Sequence, residues 1–488
     1  MGDLVDTHNA QRLSRSLGVV FDRAISLAQR APHWGWLLAR AGYETALRSG
    51  HPPSLAQATL TLGTTLALRE RFEQALHLFD RAQGMFARLG DEEGIARCQW
   101  QRGVALRFQT HFPAAVQELE RALSVFTALD LRFERASVRR DLAIACNLLE
   151  QFDRSATLIT QARASFEEMG CEVEVGRCDL VTGSQLQRRT RYQQALTALR
   201  RAHRTFDAAG QIIDKAKARY IIGLVHIQLQ AYGKARSDLE TASRVFQAAG
   251  LPLRITYFNM DLGRVLWRLG DLDGARRHLE AALDWSEAHH VPHLIADASL
   301  NLGNLHYVKG DYTAAEAAYE RALDTYHQLG LKNFAARCEQ NLALIHRWRG
   351  ELGRALDRLH RAAQALEEGE IAVWAADCHF KMAEIYLALG QAETATIHTQ
   401  QARTGYERER VPLSEAWCDI LDAQIAVSTQ DPVDAIRILE QARRSIAATG
   451  STWHTGLCDR LLGDLLLAQD AVDQAAERYA SALRAFED

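Results

Sequence analysis

VPHLIADASLNLGNLHYVKGDYTAAEAAYERALDTYHQLG, residues 291–330, holds two helical periods within forty residues. Leu294, Ala298, Leu302, Leu305 and Val308 recur at spacings of three and four, and so do Tyr312, Ala315, Tyr319, Ala322 and Tyr326. That spacing lines one face of an α-helix, so it predicts two amphipathic helices of about 17 residues each. Between them lies Gly310-Asp311, where glycine can take the left-handed conformation that ends a helix.

Working outward, the same pattern returns every 40 residues from residue 51 to the end of the chain. Stepping from Ala82 reaches Ala122, Ala162, Ala202 and so on to Ala482 without exception. The series from Ala75 is broken once, by Ser155, and the series from Gly63 contains only Gly and Ala. Gly270, Gly350 and Gly390 repeat the role of Gly310, while Gly50, Gly90, Gly170, Gly210, Gly250, Gly330 and Gly450 close second helices. The eight prolines agree: Pro52, Pro252, Pro292 and Pro412 share one position at the start of a first helix, Pro53 adjoins Pro52, Pro113 and Pro432 start second helices, and Pro32 precedes a helical run from Trp34. No stretch alternates convincingly enough to read as a strand, so the fold is expected to be all-α. Large residues from Phe79 and Leu119 through Tyr319 and Leu359 to Tyr479 fill a ridge opposite the Gly/Ala position. Thr399, Ala392 and Pro432 break the pattern, which makes units 371–410 and 411–450 the least regular. Self-similarity of this kind marks a solenoid, in which contacts are expected only between neighbouring units.

Leu302-Gly303, followed by Ala315, Tyr319 and Ala322, resembles the tetratricopeptide repeat, and the match recurs in eleven units over 51–488. Residues 1–50 read as a degenerate N-terminal repeat or cap, with Gly35 and Gly42 replacing the signature alanines. Two departures mark the long, 40-residue type, similar to Pins-like adaptors, kinesin light chains and bacterial regulatory arrays. The family's early Trp is replaced by Thr59, Gln99 or Ser299, and its closing Pro is absent, so second helices run on through Phe86, Phe126, Phe166, Phe206 and Phe246. The resemblance implies a right-handed α-solenoid superhelix of about twelve antiparallel helix pairs, with first helices lining a concave face.

Composition narrows the function. A net charge of −4 with 24% charged residues offers no polycation, and acidic residues intersperse the basic ones, so nucleic acid is an unlikely partner. Only six of 57 basic residues are Lys, a usage associated with GC-rich bacterial genomes. Cys98, Cys178, Cys338, Cys378, Cys418 and Cys458 share one repeat position with Ala58 and Val138, which makes them small core residues rather than disulfide or metal partners. No segment reads as a signal peptide or a membrane span, and the expected compartment is cytoplasmic. Gly233-Lys234 lacks the rest of a phosphate loop, and no nucleophile–base motif is present; neither an enzyme nor a cofactor is expected. The run His289, His290, His293, with His278 nearby, reads as an exposed loop before a metal site, and His226, His306 and His346 as hydrogen-bonded core residues.

The resemblance places peptide ligands against polar positions of the first helices. Asn304 stands where peptide-binding members carry Asn, and Asn341 and Lys381 follow in the next two units. With Asn301, Arg264, Arg268 and Arg337 they form the candidate partner-binding face. Asn can bond a peptide's N–H and C=O, and Lys can meet a carboxylate. The carboxylate clamp of chaperone-binding arrays is incomplete, since Leu300 and Asp377 replace basic residues. Asp141, Asp261, Asp297, Asp377 and Glu384 are expected to answer inward basic residues as salt bridges, and Trp267 and Trp348 could anchor an interface. The leading expectation is a non-catalytic scaffold holding a protein or peptide segment. The alternative is the sensor arm of a larger bacterial system, such as a CHAT caspase-like protease, with a further domain or chain covering Tyr479, Leu483 and Phe486 beside the terminal Asp488.

Overall fold

The computed structural model describes residues 2–487 apart from 150, 190, 370, 410, 430, 449 and 450, and side chains from residue 14 on apart from 409, 412, 448 and 487. Gly450 and Asp488 thus lie outside the described residues. The described chain is a run of 24 helices with no strand. It divides into two compact units, Met1–Ala282 and Leu283–Asp488.

Unit 1 contains α1 (Gly2–Ala28), α2 (Pro32–Ser49), α3 (Pro52–Leu68), α4 (Phe72–Leu89), α5 (Glu92–Phe108), α6 (Phe112–Ala128), α7 (Arg132–Leu148), α8 (Phe152–Glu168), α9 (Glu172–Arg188), α10 (Tyr192–Ala208), α11 (Ile212–Gln228), α12 (Tyr232–Ala248) and α13 (Pro252–Arg268). The division falls within α14 (Leu272–Ala288). Unit 2 continues with α15 (Pro292–Val308), α16 (Tyr312–Gln328), α17 (Lys332–Trp348), α18 (Leu352–Glu368), α19 (Ala372–Ala388), α20 (Ala392–Glu409), α21 (Pro412–Ser428), α22 (Pro432–Ala448), α23 (Thr452–Ala468) and α24 (Val472–Glu487). From α1 to α13, and again from α15 to α24, each helix packs against the next. Neighbouring odd-numbered helices from α1 to α11 and from α17 to α21 also touch one another, so the first helices form one side of each array.

The sequence punctuation sits where helices start and stop. Prolines occupy the first turn of α2, α3, α6, α13, α15 and α21, where a missing N–H costs nothing. The helix expected from Trp34 starts two residues earlier, at Pro32 itself. Gly310 and Gly330 both take positive φ, 79° and 68°. The turn position of Gly310 is filled elsewhere by Glu70, Thr110, Gln230 and Asp470, all left-handed with φ between 57° and 64°.

The two small series interlock with the large one. Ala75, Ala115, Ala315 and Ala355 are fully buried, as are Ala82, Ala122, Ala322 and Ala362. A β-carbon on Gly63 would stand 2.7 Å from the Phe79 ring, and on Gly303 2.5 Å from Tyr319. Glycine here lets a large second-helix side chain lie directly against the first helix. All eight cysteines are free, and the six at the shared position are completely buried. Burial pushes the thiols of Cys98, Cys178, Cys338, Cys378, Cys418 and Cys458 up to about 12, leaving them inert.

One expectation fails. Contacts are not confined to neighbouring units, because in unit 1 the Glu70 carboxylate accepts the backbone N–H groups of Leu253 at 2.7 Å and Arg254 at 3.4 Å. Arg177 likewise donates to Gln29 at 3.0 Å. A curved stack that turns far enough brings distant helices together, which a one-dimensional pattern does not encode.

Candidate functional site

In unit 2 the polar positions of α15 and α17 meet through their side chains. Asn341 donates from Nδ2 to Asn304 Oδ1 at 3.0 Å, and Tyr319 donates its hydroxyl to the same oxygen at 2.9 Å. Both asparagines are half-buried. Asn301 turns onto its own helix, donating to the Asp297 carbonyl at 2.8 Å. Arg337 lies over the Trp374 ring, 5.0 Å from its centroid. Lys381 on α19 is half-buried and has no ion-pair partner among the described residues. Arg347 reaches Glu384 at 2.6 Å, and a cleft opens between Tyr307, Leu344, Arg347 and Trp348. Trp348 is 66% exposed and packs on Tyr312 at 4.7 Å between centroids.

Arg264 and Arg268 belong to α13, in unit 1. Arg264 pairs with Asp261 at 3.0 Å, and exposed Arg268 stands 4.6 Å from the ring of its neighbour Trp267. Further along this unit Asp214 receives Arg177 at 2.9 Å and Lys217 at 2.7 Å. Burial opposes ionisation of Asp214, but Lys217 and Arg177 outweigh it and hold the carboxyl far below its usual range.

The inner acids do more than answer basic residues, which corrects the expected salt-bridge pattern. Asp141 accepts the Trp100 indole N–H at 2.7 Å, Asp261 the Tyr220 hydroxyl, Asp297 the Tyr326 hydroxyl at 2.5 Å and Asp377 the Tyr406 hydroxyl at 2.6 Å. Only Glu384 takes part purely as an arginine partner. Burial, then the adjacent aspartate, raises the pKa of Tyr326 and of Tyr406.

A signal for these bonds was present in the repeat register. Asp occurs at the seventh position of a unit only at 297 and 377, and Tyr at the thirty-sixth only at 326 and 406. Likewise Asp stands at the eleventh position only at 141 and 261, each one unit after the tenth-position Trp100 or Tyr220. Such paired exceptions report contacts directly.

The histidines separate by environment. His346 is buried and meets Glu351 at 2.8 Å, and His226 meets Asp238 at 2.9 Å. His278 bonds Asn259, His289 stacks on Trp285 and His293 is buried. Among the described residues no group of three His, Cys, Asp or Glu stands close enough to hold a metal. Among the same residues no helix is long and apolar enough to cross a membrane.

Residues 54–128 and 254–328 match the family model described as tetratricopeptide repeat. No curated protein matches the chain in sequence. Among solved structures it is similar to the apo form of the quorum sensor NprR from B. thuringiensis, with a TM-score of 0.52 and 14% identity, over 74% of this chain and 99% of that one. It is also similar to the Rap conjugation gene regulator of the plasmid pLS20 in complex with the Phr* peptide, with a TM-score of 0.50 and 16% identity, over 70% and 98%. A third is NprR in complex with its cognate peptide NprX, with a TM-score of 0.50 and 12% identity, over 69% and 98%. At these identities the likeness is one of fold. The two matched segments are of the tetratricopeptide type, and the helix pairs, the unbroken repeat phase and the shared fold support the same repeat type along the rest of the chain.

Proposed function

We infer that the chain is a non-catalytic scaffold that holds a peptide or protein segment along the first helices of unit 2. The carrying observation is the Asn304–Asn341 pair, 3.0 Å apart, which continues in register to the unpaired Lys381. Asn304 Nδ2, the Asn341 amide oxygen and the Lys381 ammonium offer donors on either side of an acceptor, which suits an extended backbone. The aromatic cleft at Tyr307 and Trp348 would take an apolar side chain of the same segment. Two solved structures of similar fold hold a peptide, NprX in NprR and Phr* in the Rap regulator, which supports the class of ligand. Inert buried thiols fit a reducing, cytoplasmic setting.

Capture of partners from lysate, followed by Asn304→Ala with Asn341→Ala, tests the reading. A folded double variant should lose the partner by about tenfold in affinity, the equivalent of about 1.4 kcal/mol. Capture at wild-type strength would place the ligand elsewhere. A second reading, a regulatory arm covered by another domain or chain, draws on the exposed apolar residues Trp453, Val472, Leu483 and Phe486 of α23 and α24.

A further inference from the structure

In unit 2, α24 exposes an apolar face that the repeat elsewhere covers. In residues 291–330, Leu323 and Tyr326 of α16 are 5% and 1% exposed, packed with Ala335, Cys338 and Leu342 of α17. Their counterparts on α24, Leu483 and Phe486, are 59% and 40% exposed. Both belong to a longer stripe, Val472, Ala476, Tyr479, Leu483 and Phe486, spaced four, three, four and three residues apart. That spacing draws a single seam along one face of the helix, the pattern by which one helix runs beside another. α23 packs along one flank, where Ala475 and Ala482 are buried. Its exposed Trp453 widens the apolar patch, 5.9 Å from Phe486 between ring centroids.

The stripe is complementary to itself. Ala476 and the adjoining Ala480, both exposed, hold its small positions, and Tyr479, Leu483 and Phe486 its large ones. Two copies laid antiparallel, about a two-fold axis between Tyr479 and Ala480, set Leu483 on Ala476, Tyr479 on Ala480 and Phe486 on Val472, each contact made twice. Large side chains then meet small ones, as Phe79 meets Gly63 within a repeat. The flank away from α23 repeats the match in charge. Asp473, Glu477 and Arg484 are exposed there, and none has an ion-pair partner among the described residues. In the same antiparallel register Arg484 of each copy falls between Asp473 and Glu477 of the other, two acids one helical turn apart.

We propose that this face pairs with the same face of a second copy of the chain, α24 against α24, as a two-fold antiparallel dimer. This pairing rests on the second reading, in which the α23–α24 face is covered, and makes the cover the chain itself. A covering helix from another protein would need neither the large-on-small register nor a lone arginine placed to answer its own two acids. Self-pairing needs both. One helix pair widened by Trp453 lies at the small end of specific interfaces, so the dimer forms reversibly, in the micromolar range.

Sedimentation equilibrium of the full chain, loaded between about 1 and 100 µM, tests it. The mass should climb from one chain to two. Leu483→Glu sets a charge in the middle of the stripe and should weaken association about tenfold or more. Charge reversal reads the register. Asp473→Asn with Glu477→Lys leaves only positive charge at the three flank positions, and Arg484→Glu leaves only negative. Each of these variants alone should dimerise about threefold or more weakly than the wild type, and an equimolar mixture should recover the wild-type constant within about twofold. All three side chains are exposed and unpaired, so the variants should keep the wild-type helix content. A chain that stays monomeric at every concentration overturns the dimer. So do variants that associate as the wild type does, or a mixture no tighter than its components. The covered-face reading has a separate readout. If the wild type is monomeric yet captures from lysate a partner that Leu483→Glu loses, the self-pairing falls and the cover is another chain.

Discussion

A β-carbon on Gly303 would come within 2.5 Å of the Tyr319 ring, which is itself buried and held by Asn304. Gly303→Ala should therefore cost about 1–3 kcal/mol in urea unfolding, the usual penalty of overpacking. Gly84 is the control: it is exposed within α4 with nothing within 4 Å of a β-carbon, so Gly84→Ala should gain about 0.5–1 kcal/mol from helix propensity. A second test concerns His398, stacked on Tyr386 with its Nδ1 3.1 Å from that of His379. Burial, then His379 and His360, pulls its pKa down to about 4. The unfolded chain binds a proton there near the ordinary 6.5, so stability is full above that pH and falls as the solution is acidified from about 6.5 towards 4. Melting temperature followed across that range should decline, and His398→Asn should flatten the decline. The glycine–ridge contact was legible in the repeat register alone. The histidine cluster was not, because His360, His379 and His398 occupy three different repeat positions.

Helices were legible wherever a backbone requirement was written into a residue type. Proline at first turns and glycine at left-handed turns placed most boundaries, and the cysteine column declared itself core by sharing a position with Ala and Val. Side-chain bonds between helices were harder, since any one unit shows only half of the pair. Comparing units exposes them: Tyr406 replaces the commoner Phe only where Asp377 stands on the first helix. Tyr406→Phe should cost about 1–2 kcal/mol, because it leaves a half-buried carboxylate without its donor. Unit 371–410 is among the least regular, so amide exchange should rise first in α19 and α20. Glu70 marks the limit of such reading. Its left-handed turn looks like a departure from glycine until Leu253 and Arg254 arrive beside it from 183 and 184 residues away. Glu70→Gly would relieve the turn yet uncap α13. Its net effect is expected to be destabilising, with raised exchange at the start of α13.

At the scale of the whole molecule, a repeat that buries its apolar face only on its neighbours leaves one side of first helices free to carry polar side chains. The first helices of the two compact units carry different side chains: in unit 2 an amide pair and, among the described residues, a lysine without an ion-pair partner, and in unit 1 a dense ion network. Architecture came from periodicity, and the ladder positions came from resemblance. The identity of what is held lies in the ligand's chemistry, which no repeat register records. Hydrogen–deuterium exchange of the full chain, with and without its captured partner, addresses this most directly. Partner-induced protection should fall on α15, α17 and α19 and spare α16, α18 and α20. Protection confined to the second helices, or none in either set, would contradict a scaffold that grips through its first helices.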